Sequence, residues 1–160
     1  MNLGYGQIED ALVAALTIPE ADRMKLRSRI QHLQNAGLVK RGSKGRGHRA
    51  TYGEEDLLKL CGSLALVNAQ WPAKAAAAFV IEQWPAFHDS LASSLHDAED
   101  RIIAVLEMDG EIIARSVGRQ AWLARALDPT PDVIFELRLE FPNLAKKALA
   151  SVQSSDDTDG

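Results

Sequence analysis

The sequence predicts an α+β protein built in two parts, and three observations carry that expectation. Residues up to about 83 show apolar side chains at helical spacing, broken by a single glycine-rich basic stretch. From residue 101 onward the spacing shortens to that of strands, with an Asp-Gly pair between two apolar runs. A Pro-rich turn, residues 128–132, then precedes a strictly alternating segment.

The first helix is expected over residues 7–16, where Ile8, Leu12, Ala15 and Leu16 recur on one side and Glu9 and Asp10 lie near the positive N-terminus. Thr17-Ile18-Pro19-Glu20 breaks it, and Pro19 suits the opening of a second helix over about 20–36. That helix has Met24, Leu26, Ile30 and Leu33 on or beside its apolar stripe, and Gly37 closes it. Its opposite side presents Arg23, Arg27, Gln31 and Gln34 at steps of four, four and three. Residues 38–52 then read as a hairpin, with strands at 38–41 and 49–52 and Gly42, Gly45 and Gly47 among the cations at its tip. Gly53-Glu54-Glu55-Asp56 opens a third, Leu-rich helix, and a fourth runs from Pro72 to about Gln83.

Beyond Trp84, residues 87–99 read as helix or linker, followed by strands at 101–106 and 112–117 joined through Met108-Asp109-Gly110-Glu111. A short helix is expected over 118–127. In 133–141, Val133, Phe135, Leu137, Leu139 and Phe141 alternate with Ile134, Glu136, Arg138 and Glu140, the pattern of a half-buried strand. Residues 142–152 close the chain as a helix, and 153–160 form an acidic tail expected to be disordered. The domain boundaries are thus 1–83, a winged helix-turn-helix DNA-binding domain; 84–152, a small α+β dimerisation domain; and 153–160, the tail. A pocket for a small molecule around Trp84, Trp122 and the hairpin is the competing duty of the second domain, but no residue pattern establishes an effector.

Charge is distributed unevenly. Of 18 Lys and Arg, nine lie between Arg23 and Arg49, a stretch with no acid, whereas all 22 Asp and Glu fall outside it. The overall charge of −4 therefore hides a concentrated positive field, which attracts phosphate while the rest of the surface repels it. Both basic segments fall on elements that a winged helix-turn-helix uses on DNA: the second helix, for the major groove, and the wing, for the backbone or minor groove. Arg pairs in two-pronged fashion with guanine and Gln with adenine, so Arg23, Arg27, Gln31 and Gln34 suit base edges. Arg29, Lys40, Arg41, Lys44, Arg46 and Arg49 suit phosphates, and His48 adds a donor near neutral pH. The wing and the second helix lack exposed aromatic residues for stacking unpaired bases, which favours duplex DNA over RNA.

Asn35-Ala36-Gly37-Leu38-Val39 followed by Arg41, then Gly47-His48-Arg49-Ala50-Thr51-Tyr52 and Gly53-Glu54-Glu55-Asp56-Leu57-Leu58-Lys59-Leu60, resembles the MerR family of winged-helix regulators over roughly residues 7–83. The resemblance implies that Arg41 and Arg49 contact phosphate from the wing and that Tyr52 fixes the wing or touches the backbone.

Other classes find little footing. His32, His48, His88 and His96 have no metal-site spacing, Cys61 has no second cysteine, and no phosphate-binding Gly-rich loop follows a strand. No enzyme activity, metal or cofactor is expected. The lone cysteine, the absence of a signal-like N-terminus and the absence of a long apolar run predict a cytoplasmic protein without membrane contact. The expected partners are double-stranded DNA and a second copy of the chain, as a homodimeric repressor on a pseudo-palindromic site. The alternative is an adaptor, without enzyme activity, whose basic patch docks an acidic protein.

Overall fold

A computed structural model describes residues 2–39, 51–96, 100–108, 110–127 and 135–156. The chain is α+β and divides into two compact units, residues 1–81 with 144–160, and residues 82–143.

In the first unit, α1 (Tyr5–Leu16) buries Ile8, Ala11, Leu12 and Ala15. It starts two residues earlier than expected because the Gln7 side chain reaches back and accepts the Gly4 N–H at 2.9 Å, satisfying a donor that the first turn leaves open. Thr17 in the left-handed region (φ 53°) ends it, and Ile18 N–H bonds to the Val13 carbonyl at 3.1 Å. A single 3-10 turn, Glu20–Asp22, leads into α2 (Arg23–Asn35). Leu26, Ile30 and Leu33 are the buried residues of α2. Met24 is not among them: it is 73% exposed, which corrects its placement beside the apolar stripe. At 100° per residue it lies two positions, about 200°, from Leu26 and so points outward.

Gly37 (φ 88°) closes α2 as expected. Leu38 N–H bonds back to the Leu33 carbonyl at 3.2 Å and Gly37 N–H to that of Gln34 at 3.0 Å, and Leu33 and Leu38 are both buried. Leu38 and Val39 form no strand, and 40–50, which hold the rest of the expected wing tip, lie outside the described residues. Tyr52 makes its antiparallel bridge to Leu3, with both backbone N–H···O bonds at 2.9 Å.

The third helix, α3 (Glu54–Asn68), is capped by Asp56, whose carboxylate accepts the Gly53 N–H at 2.8 Å. Glu54, Glu55 and Asp56 complement the helix dipole there. Leu57, Leu60, Cys61 and Leu64 of α3 are buried, and α3 packs on both α1 and α2. Next, α4 (Ala73–Glu82) buries Ala76, Ala77, Phe79 and Val80, with the Phe79 ring 5.2 Å from Trp71.

In the second unit, α5 (Trp84–His96) settles the helix-or-linker alternative as helix. It packs on β1 (Arg101–Met108) and β2 (Glu111–Gly118), a hairpin turned at Gly110 (φ 80°). After α6 (Arg119–Leu127) comes β3 (Phe135–Leu139), and the antiparallel sheet has the order β2-β1-β3. Central β1 is buried from Ile102 to Leu106 without alternation, because both of its faces are covered. The strand expected to run to Phe141 stops at Leu139, and Phe141 instead starts α7 (Phe141–Asp156). Its ring sits edge-on to Phe87 at 4.9 Å and to Trp84 at 6.4 Å. Arg119 ties the unit together through Asp100 and through Glu140, the latter at 3.0 Å from Nη1.

The sequence grouped the closing helix with the second domain and left 153–160 disordered. Residues from Leu144 instead group with the first unit, where Ala145, Ala148 and Val152 are buried; α7 continues to Asp156, and 157–160 lie outside the described residues.

Candidate nucleic-acid interface

With Leu26, Ile30 and Leu33 fixing which side of α2 faces inward, Met24, Arg27, Ser28, Gln31 and Gln34 come together on one outward face. Joined by Tyr5 from the start of α1, they line an open depression of about 390 Å³. Met24, Ser28 and Gln31 are exposed, and the Arg27 side chain is 53% exposed. The face thus offers a guanidinium, a hydroxyl, two amides and a thioether along three turns of helix.

Behind it lies a carboxylate that the sequence reading had assigned only to the helix dipole. Glu9 of α1 is buried, with 4% of its side chain exposed, and is held by Arg27 Nε at 2.8 Å and Arg23 Nη1 at 3.5 Å. A buried carboxylate is tolerated only when paired in this way. The hydrogen bond to Glu9 raises the pKa of Arg27, and that to Asp10 raises the pKa of Arg23, so both stay charged throughout the working range.

The predicted reading residues thereby take different positions. Arg23 bonds Asp10 at 2.8 Å and Glu20 at 2.6 Å as well as Glu9, and it ties α1, the 3-10 turn and α2 together. Arg27 uses Nε on Glu9 and projects into the depression. Gln31 stands on the exposed face, and Gln34 is half-buried, its amide donating to the Tyr52 hydroxyl at 2.7 Å. Tyr52 itself is 5% exposed, with its ring 6.4 Å from Tyr5, so it buttresses the end of α2 from the inside. Burial, followed by the nearby Glu9 charge, raises the Tyr5 pKa. Arg29 donates to Asn68 Oδ1 at 2.8 Å and lines a separate depression beside the turn between α1 and α2. Lys40, Arg41, Lys44, Arg46, His48 and Arg49 lie outside the described residues.

Tyr5, Met24 and Ser28 were missed. Met24 and Ser28 were legible in principle, since each stands two residues before a buried position, but Tyr5 reaches the face only through the packing of α1 on α2. Among the described residues, no group of three or more His, Cys, Asp or Glu is arranged to hold a metal ion, and no helix is long and apolar enough to cross a membrane. No protein-family model matches the chain, and no curated protein matches it.

Proposed function

We propose that the protein is a sequence-specific duplex-DNA-binding transcriptional regulator, a homodimeric repressor with a MerR-like winged helix-turn-helix in its N-terminal part. In this reading α2 enters the major groove, residues 38–52 form the wing on the backbone or minor groove, and residues of the second unit join the two copies. The observation that carries it is the outward face of α2, where Arg27, Ser28, Gln31 and Gln34 share one side of a helix braced by α1 and α3. The acid-free run from Arg23 to Arg49 supports it, because six further cations and donors, Lys40, Arg41, Lys44, Arg46, His48 and Arg49, follow α2 in the sequence without an acid among them.

Within this reading the recognition residues divide. Arg27 and Gln31 read base edges, Met24 offers apolar contact to a thymine methyl, and Arg23 holds the helix that presents them. The test is fluorescence anisotropy on duplex fragments across a salt series. With about six to eight phosphate contacts, log affinity falls against log salt with a slope near −0.9 per contact, and R41A or R49A flattens it by about one. Absence of duplex binding at low salt overturns the proposal and leaves the acidic-protein adaptor.

A further inference from the structure

In an antiparallel ladder, successive residues point their backbone groups alternately towards the neighbouring strand and away from it. In β2, Ala114 stands opposite Val105, and its N–H is directed away from β1, to the Gln83 side-chain oxygen at 3.1 Å. Ile112, Ala114 and Ser116 therefore direct their N–H and C=O groups to the outer side of β2, which among the described residues is a terminal strand; Ala114 itself is buried, beneath Gln83. Glu111 and Arg115 are exposed on this strand, and Ile112 is 43% exposed.

We infer that two copies of the chain pair along this edge, antiparallel about a two-fold axis at Ile113, with Glu111 of each copy opposite Arg115 of the other. Register and charge select this arrangement together. Edge pairing requires outward-pointing residues to meet one another, so the even-numbered positions must face even-numbered positions. A two-fold centred on Ile113 sets Ile112 against Ala114 twice, Ile113 against itself, and Glu111 against Arg115 twice. Centring on Arg115 instead opposes two like charges, and centring on Ala114 sets Arg115 against Ile113, so neither alternative is favoured. Gln83 competes for the edge, because its oxygen holds the N–H that the second copy's Ile112 carbonyl would take.

The inference deepens the dimer half of the proposed function by naming its interface, and it is tested without DNA. Sedimentation equilibrium of the full chain is compared for wild type, E111R, R115E and the double swap E111R/R115E. Each single reversal places two like-charged pairs across the axis and is expected to weaken dimerisation about tenfold or more, with the double swap returning it to within about threefold. I113C is expected to form a symmetric disulfide across the axis under mild oxidation, and Q83A to tighten the dimer. A wild-type dimer that E111R and R115E leave unchanged, or whose strength the double swap fails to restore, overturns this interface alone. A wild-type chain that stays monomeric at every concentration overturns the dimer reading with it.

Discussion

Glu9 accepts a hydrogen bond from Arg27 Nε at 2.8 Å, so a buried carboxylate of α1 sets the aim of a guanidinium on the outward face of α2. An arginine braced through Nε keeps its two terminal nitrogens for a single planar acceptor pair, the geometry by which guanine is recognised. E9Q keeps the volume but removes the charge. In the DNA-binding reading, E9Q raises affinity for arbitrary duplexes and lowers the preference for the best site over a scrambled one, by up to about tenfold. Competition anisotropy checks it; an unchanged preference ratio would show that Glu9 does not govern recognition.

Ile30 and Gln31 are adjacent in sequence and opposite in consequence. Ile30 is fully buried at the centre of the α2 inner face, so I30A is expected to cost about 2–5 kcal/mol in urea unfolding. Q31A, on the exposed side, should change stability by less than about 0.5 kcal/mol, and in the DNA-binding reading it alters which duplex is preferred.

Phe141 is fully buried and stacked edge-on against Phe87 and Trp84. F141A should destabilise the second unit by about 3–5 kcal/mol. Trp84 emission, isolated by W71F and W122F, gives the readout: its unfolding midpoint in urea should fall, and a midpoint equal to that of the parent protein would contradict the packing.

Cys61 is buried in α3, and burial pushes its thiol from 9.0 up to about 12. The native protein should therefore resist a thiol-specific disulfide reagent at pH 8 and react only as fast as it unfolds. The folded state holds this proton more tightly than the unfolded state does. The thiol's contribution to stability is accordingly complete below about 9 and is lost as pH rises towards about 12.

Gly37 has a φ of 88°, and a methyl group added there would meet nothing within 4 Å. G37A should consequently cost about 1 kcal/mol through the backbone alone, and G37N less, because Asn tolerates the left-handed region better than other residues. Thermal unfolding of the two variants side by side distinguishes this from a packing effect, which would make the larger Asn the worse substitution.

Local signals made the helices easy to read. Ile8, Leu12 and Ala15, the turn at Pro19, the buried trio of α2 and the acidic start of α3 each follow from spacing or capping within a few residues. The hairpin of β1 and β2 was equally plain at Asp-Gly. What escaped depended on partners distant in sequence. Nothing near Arg23 reveals that Asp10, thirteen residues earlier, will hold it, and nothing near Glu9 marks it as buried rather than solvated. Tyr52, which the resemblance implies fixes the wing or touches the DNA backbone, lies inward, where the Gln34 amide and the Leu3 backbone meet it, and neither contact is marked in the sequence around it. Phe141 alternated correctly for a strand, yet the following Pro142 and the apolar spacing of Ala145, Ala148 and Val152 made it the start of a helix.

The two backbone hydrogen bonds between Leu3 and Tyr52 have a practical side. They clip the first residues of the chain onto the segment that follows the basic stretch, within two residues of the Tyr5 ring in the α2 depression. A substitution that breaks this clip, such as L3P, is therefore expected to disturb the surface proposed to meet DNA without touching any residue of α2.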